Sequence, residues 1–243
     1  MNIIKLDATD STNAHLKRLL SEDTWADFTV VTAKEQHSGK GQMGAKWESD
    51  SGKNLTFSVL RQGLALSVND YFVLNICVSL AVYNTLRAHQ VPDLSVKWPN
   101  DILSGNSKIC GILIENILSG NLINTAIIGI GLNVNQTFFG ELENASSLKL
   151  ILGRNFDLNE LLHEIVRNLE VIFLESNTDN RENLWKNYEQ VLFRRDKPST
   201  FENKENELFM GFIRGVSPTG RLQITLEDNV LKEFDIKEVK LLY

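Results

Sequence analysis

The chain is short of the residues that usually mark a metal centre, a disulfide framework or a nucleophilic triad. Of 243 residues, two are cysteine, four are histidine and four are proline. Cys77 and Cys110 form no CxxC pair and have no histidine at metal-ligand spacing. Both lie in apolar runs and read as buried, reduced thiols, which fits a cytoplasmic protein. No histidine sits in a triad-like motif. Positive charge is scarce as well: 25 Lys plus Arg against 31 Asp plus Glu leave a net charge of −6. That balance argues against the basic footprint that nucleic-acid binding needs. The opening MNIIKLDATDSTN carries Lys5, Asp7 and Asp10 without an apolar core, so it does not read as a signal peptide. No run approaches the roughly eighteen apolar residues of a membrane span.

What is present is a mixture of strands and helices without βαβ alternation, which predicts an α+β fold rather than a parallel Rossmann sheet. Strands are expected at 2–6, 28–36 and 54–62. A helix over 10–23 has Ser11 as its N-cap, with Leu16, Leu19 and Leu20 on one side. A long helix over 69–90, apolar nearly all round, is expected to be the buried central one. Strands at 94–103, 108–116 and 124–134 are joined by two Ser-Gly-Asn loops and form an antiparallel meander. Helices follow at 157–176, with Asp157 and Glu160 at capping-box spacing, and at 183–193. The texture then changes, and turns at 217–220 and 227–229 divide a run of short strands. The chain therefore reads as two domains, 1–196 and a small all-β unit over 197–243.

Four clusters carry residues that a core does not need. HSGKGQMGAKWES (37–49) has three glycines in six residues. Gly39, Gly41 and Gly44 allow backbone N–H groups to converge on an anion, although the same glycines fit a mobile surface loop. It is not a Walker A loop: Lys34 stands where that motif needs Gly, and Gly41 where it needs Ser or Thr. The second cluster, KWPNDILSGNSKICGILIE (97–115), reads as a hairpin with Lys97, Asn100 and Asp101 on one arm and Lys108 on the other. Pro99 cannot donate to a ladder, so its arm lies at an edge or breaks there. Strand alternation places Lys108 on the face of Cys110, Ile112 and Ile114, at the rim of an apolar surface. A rigid edge so furnished suits a polyphosphate or a carboxylate. Ser11-Thr12-Asn13 and Gly129-Ile130-Gly131-Leu132-Asn133 are weaker alone, the first as a helix cap and the second as close packing.

In this order the clusters resemble the biotin protein ligases. Those enzymes carry Ser-Thr-Asn, a Gly-Arg-Gly-rich loop followed by Trp, Lys-Trp-Pro-Asn-Asp, Lys-x-x-Gly-Ile-Leu-x-Glu and Gly-x-Gly-x-Asn, with a small SH3-like domain at the end. The matching stretches are STN (11–13), GKGQMGAKW (39–47), KWPND (97–101), KICGILIE (108–115) and GIGLN (129–133). The resemblance implies a mixed-sheet catalytic domain of the biotin/lipoate ligase type, related to class II aminoacyl-tRNA synthetases, with a C-terminal SH3-like β-barrel. It implies that biotin and ATP form biotinyl-5′-AMP and pyrophosphate. The biotinyl group then passes to one lysine of a biotin carboxyl carrier protein or domain of a biotin-dependent carboxylase.

The resemblance also assigns roles. Lys108 would neutralise charge on the α-phosphate and the biotin carboxyl. Asp101 would hold Mg²⁺ or receive a proton, and Lys40 is counted with these two as catalytic. Ser11, Thr12, Asn13 and Gln36 would hydrogen-bond the ureido ring. Gly111 would let the ring approach the strand. Gly39, Lys40, Gly41 and Gln42 would fold over the adenylate and touch both of its halves. Trp47, Lys97, Asn100 and Asn133 would lie near the nucleotide. The loop departs from the family in having Gln42 where an Arg is usual. With ten residues before Ser11, a short form without an N-terminal DNA-binding domain is expected, a monomer or homodimer with no DNA or membrane partner. The rival readings are a lipoate ligase or octanoyl transferase on the same fold, a non-catalytic biotin-binding protein and a DNA-binding repressor.

Overall fold

A computed structural model describes residues 2–176 and 180–243. Seven strands form one mixed sheet: β1 (Asn2–Thr9), β2 (Thr29–Gln36), β3 (Leu55–Ser67), β4 (Leu94–Lys97), β5 (Asp101–Ser104), β6 (Ser107–Ser119) and β7 (Leu122–Leu132). Their order is β1-β2-β3-β7-β6-β5-β4. β1 and β2 are parallel; the remaining pairs are antiparallel. The meander expected from the Ser-Gly-Asn loops is present in β5 to β7. The single arm expected over 94–103 is instead two strands. Pro99, joined to Trp98 by a cis peptide, interrupts the ladder, and the chain folds back so that Lys97 pairs with Asp101.

Because side chains alternate along a strand, the two faces of this sheet differ. Val30, Phe57, Val59, Ile128, Ile130 and Leu132 point to one face and join the main core. There they meet α2 (Phe72–Ala88), the short α3 (Leu148–Leu152) through Leu148, α4 (Leu158–Ser176) and α5 (Arg181–Gln190). α2 is buried on most sides, as its continuous apolar run requires. Residues Val68–Ala88 are in fact long and apolar enough to cross a membrane by composition, a length that the sequence reading understated. Here most of its apolar part is buried inside the fold. α4 begins where expected, with the Asp157 carboxylate accepting from the Asn159 and Glu160 N–H groups.

On the opposite face Leu16, Val31, Leu60 and Ile127 form a small cluster under α1 (Thr12–Glu22). Ser11 is the N-cap residue by position, but its hydroxyl makes no capping bond. Beyond α1 this face is covered by the loop between β2 and β3.

The last five strands, β8 (Pro198–Asn203), β9 (Leu208–Val216), β10 (Leu222–Leu226), β11 (Leu231–Phe234) and β12 (Val239–Leu242), form a second, antiparallel sheet in the order β11-β10-β9-β8-β12. The change of sheet falls between Gln190 and Pro198. Phe201, Ile213, Val216, Leu222 and Ile224 share the main core with Phe72 and Tyr188. The Trp98 and Trp185 indoles donate to Gly220 O at 2.9 Å and to Val216 O at 3.1 Å. Gly220 has a left-handed φ of 84°, and a Cβ there would lie 2.6 Å from the Phe72 ring. The turn therefore needs glycine both for its backbone and for its space.

Candidate active site

A cavity of about 260 Å³ opens on the α1 face of the large sheet. Its floor is made possible by alternation in β6 and β7. Gly111 and Gly131 are cross-strand partners and, with Gly129, leave the floor bare. The Trp47 indole rests on them: a Cβ on Gly131 would meet it at 2.4 Å and one on Gly111 at 3.0 Å. The Asn13 amide rests on Gly129, where a Cβ would lie 2.5 Å from Asn13 Oδ1. The glycines of GIGLN are close-packing glycines, and what packs on them is the site itself.

One end of the cavity is a neutral hydrogen-bonding array. The Gln36 side-chain oxygen accepts from the Thr12 N–H at 2.8 Å and from its hydroxyl at 3.2 Å. The fully buried Ser58 hydroxyl lies 2.7 Å from the Thr12 hydroxyl and 2.6 Å from Asn13 Oδ1. Asn13 Nδ2 donates to the Glu115 carboxylate at 2.8 Å, and Lys17 holds the other carboxylate oxygen. Burial pushes the Glu115 carboxyl up. Hydrogen bonds from Lys17 and Asn13 outweigh it and leave the group below the usual carboxylate range. Ser58 and Glu115 therefore fix the amide of Asn13 from both sides. Neither was singled out from the sequence, although Glu115 closes the KICGILIE stretch.

The other end is charged. Lys108 Nζ lies 2.7 Å from Asp101 Oδ1 and 5.8 Å from the centre of the Trp47 ring. The register of β5 against β6 shifts between Ile102 and Leu103, which puts a bulge next to Lys108. A bulge adds one residue and reverses the alternation beyond it. Lys108 thus shares a face with Gly111, whose Cβ would be 3.3 Å from its ammonium, and not with buried Cys110 and Ile112 as simple alternation predicted. Asn100 braces the kink: its side-chain amide donates to Ile112 O at 2.6 Å, and the Ile112 N–H donates to Asn100 O at 3.0 Å. Burial pushes the Cys110 thiol well up, so it is inert although it is close by.

The cavity brings together Ser11, Thr12, Asn13, Gln36, Lys40, Gly41, Gln42, Trp47, Asn100, Asp101, Lys108 and Gly111. Three expected residues are placed elsewhere. Gly39 packs behind the loop, accepting from the Trp47 N–H at 3.0 Å, where a Cβ would meet Trp47 O at 2.3 Å. Lys97 points to the second sheet, with its ammonium 3.1 Å from the Tyr243 hydroxyl and 4.6 Å from the centre of that ring. It is turned there by the reversal at Pro99. Asn133 is buried, donating from Nδ2 to Ser146 O at 3.0 Å and from its N–H to Ile109 O at 2.8 Å. It thereby ties the following segment beside Lys108, whose N–H donates to Asn144 O at 2.7 Å. Conversely, Ala45, Lys46, Phe57, Leu113, Gly129 and Gly131 also line the cavity and were not assigned to it. Lys46 had a signal, as a cation inside the glycine loop.

Asp101 is the one carboxylate among the described residues lining the cavity. Among the described residues no three His, Cys, Asp or Glu side chains cluster as a metal cage. The cavity thus holds a neutral polar end, an apolar middle with an indole, and a charged end with no Ser, Cys or His nucleophile. That arrangement can bind an uncharged polar head group and align a carboxylate with a phosphate.

The model of the biotin/lipoate A/B protein ligase family matches residues 6–133. A bifunctional ligase/repressor BirA of Salmonella typhimurium is 28% identical over 251 residues, covering 99% of this chain and 74% of that protein. A biotin–[acetyl-CoA-carboxylase] ligase of Paracoccus denitrificans is 38% identical over 135 residues, 53% of each chain. The fold of the biotin protein ligase from Aquifex aeolicus, solved with biotin and ATP, superposes with a TM-score of 0.82. That match is 27% identical and covers 99% of this chain and 98% of the other.

Proposed function

The chain belongs to the biotin/lipoate A/B protein ligase family, and from that premise we propose that it is a biotin protein ligase. It activates biotin with ATP as biotinyl-5′-AMP and transfers the biotinyl group to a lysine of a carboxylase carrier domain. The observation that carries this reading is one cavity with a neutral hydrogen-bonding end and the Lys108–Asp101 pair at the other.

In the first step a biotin carboxylate oxygen attacks the α-phosphorus of ATP. The bond to the bridging oxygen breaks, and pyrophosphate leaves. The acid supplies its own nucleophile, so the protein has to align the reactants and stabilise developing charge. Lys108 is the group for that charge. Asp101 holds the ammonium at the cavity through their 2.7 Å ion pair, and Gly111 leaves it room. Thr12, Asn13 and Gln36 seat the ureido ring, which needs donors and acceptors but no charge. In the second step the carrier lysine nitrogen attacks the acyl carbonyl, AMP leaves, and the nitrogen loses a proton. Asp101 is the acceptor within the cavity for it.

The alternative role for Asp101 is toward Mg²⁺ entering with ATP: one carboxylate is what this ion commonly takes from a protein beside substrate phosphates, and Asp101 would be the residue to hold it. There it would neutralise charge on the leaving pyrophosphate. The lipoate alternative is not favoured by these relatives.

Incubating the chain with biotin, MgATP and a carrier domain tests the reading. The expected result is covalent biotin on the carrier and biotin-dependent ATP–pyrophosphate exchange. Exchange with lipoate and none with biotin would overturn it. The net charge of −6 supports the further expectation that double-stranded DNA is not bound specifically at physiological salt, to be checked by gel retardation with and without biotin.

A further inference from the structure

The neutral end of the cavity has a fixed donor–acceptor sense, and Glu115 sets it from behind the lining residues. Burial pushes the Glu115 carboxyl up, yet bonds from Lys17 and Asn13 outweigh it and leave the group ionised at neutral pH. An ionised carboxylate only accepts hydrogen bonds. The Asn13 atom that faces it at 2.8 Å is therefore the amide nitrogen. Leu113 O, 3.4 Å from that nitrogen, is a second acceptor on the same side. Asn13 Oδ1 is thereby turned to Ser58, and an amide oxygen has no proton to give. The Ser58 hydroxyl must place its one proton there, at 2.6 Å. Toward Thr12, 2.7 Å away, Ser58 is left as an acceptor. The Thr12 hydroxyl proton then goes to Ser58 or to Gln36 Oε1 at 3.2 Å, and neither can donate in return. In both cases Thr12 Oγ meets a ligand with lone pairs alone. Thr12, Asn13 and Ser58 are at most 4% exposed, and a chain of hydrogen bonds is strongest where water is excluded.

We propose that Glu115 is a specificity-determining positioning residue. Acting through Asn13 and Ser58, it makes the Thr12 hydroxyl an obligatory acceptor. The site then takes a ligand with a ring N–H at that point and refuses one with a ring oxygen. The inference rests on the ligase reading for its ligand, the ureido ring of biotin; the sense of the chain itself does not. Glu115→Gln should reverse that sense. Its side-chain oxygen stays with the Lys17 ammonium, which only donates. Its NH₂ group then faces Asn13 donor to donor, so the Asn13 amide turns over. The Asn13 nitrogen donates to Ser58, Ser58 donates to Thr12, and Thr12 becomes a donor.

Two measurements on the full chain test this. Neutron diffraction from deuterium-exchanged, ligand-free crystals reads the hydroxyl protons directly. Wild type should show the Ser58 deuteron toward Asn13, and Glu115→Gln should show it toward Thr12. The same sense in both proteins would overturn the proposal. Calorimetry then compares biotin with its two cyclic carbamate isosteres, in each of which one ring N–H is replaced by O. Wild type should prefer biotin to one of them by about a hundredfold, the order for a buried acceptor left facing an acceptor. Glu115→Gln should bind biotin about threefold more weakly and cut that preference below about tenfold. Glu115→Asp, which keeps an acceptor-only group, should retain the preference. In a Ser58→Ala background, where the relay is cut, Glu115→Gln should leave it unchanged. A residue that merely propped α1 would weaken biotin and both isosteres equally, lower the melting temperature and show no coupling to Ser58. That pattern would overturn the proposal. If wild type does not bind biotin, the ligase reading fails, and the neutron comparison still decides whether Glu115 sets the sense of the array.

Discussion

The two walls of the cavity are built on opposite plans. The sheet wall is settled before any ligand arrives. Lys108 has Asp101, Asn100 has the Ile112 backbone, and Asn13 is held between Ser58 and Glu115. The loop wall is unsettled: Lys40 and Lys46 face each other without a counter-charge, and Met43 is 58% exposed on a left-handed backbone. A rigid sheet can hold a neutral head group and one catalytic charge in place. The loop leaves its two cations exposed to solvent. On the proposed function, the difference gives recognition and alignment to the sheet and leaves the loop free to close over the nucleotide.

The largest expected effect is on the sheet wall. Lys108→Ala should lower biotin-dependent ATP–pyrophosphate exchange by about 10²–10³, the cost of losing one preorganised partner for developing charge, with the fold intact by circular dichroism. Near-normal exchange would place Lys108 outside the chemistry and remove the basis of the contrast.

Next comes the glycine floor. Gly131→Ala puts a methyl group where the Trp47 indole lies. The overpacking should cost about 1–3 kcal/mol, seen as a lower melting temperature together with weaker biotin binding. A variant that binds and melts like wild type would mean that the indole moves aside freely, and the floor would not be the rigid half of the site.

On the loop wall, Gln42 also lines the cavity and offers only neutral hydrogen bonds. Gln42→Arg should slow escape of preformed biotinyl-5′-AMP about tenfold, as a gain of about 1.4 kcal/mol gives, with little change in biotin affinity. A stopped-flow chase measures it. An unchanged or faster off-rate would show that position 42 does not limit retention.

The smallest effect concerns pH. The Glu115 carboxyl sits below its ordinary value in the folded chain. Its contribution is therefore complete above the unfolded carboxylate value of about 4.3 and is lost as pH falls through the depressed folded value. Biotin affinity followed down that window should decline as Asn13 loses its acceptor. Glu115→Gln should bind biotin slightly more weakly at neutral pH and show a flatter decline. Identical profiles for the two proteins would mean that Asn13 is held without Glu115.

Local signals were enough for the elements. The apolar run of α2, the Asp157 cap of α4, and the Ser-Gly-Asn turns of the meander are properties of neighbouring residues, and each stands where the sequence placed it. The motifs also named most of the cavity lining, because motif residues must be chemically specific wherever they sit. Face and direction were a different matter. Alternation put Lys108 beside Cys110, and a bulge that depends on pairing with β5 turned it to Gly111. Lys97 stands in the same motif as Asn100 and Asp101, yet the reversal at Pro99 and the ring of Tyr243, 146 residues away, take it out of the cavity. Asn133 became a buried tie to Ser146 rather than a lining residue. Ser58 carried no motif of its own, and Lys46, although inside the GKGQMGAKW stretch, had been given no role. They matter because of what stands opposite them, Asn13 in one case and Lys40 in the other. The sequence by itself determined which elements form and which chemical groups are available, since propensity, capping and turn chemistry act between neighbours. Only the tertiary structure decided which of those groups meet, because strand register and chain reversal set the direction of every side chain through contacts distant in the chain.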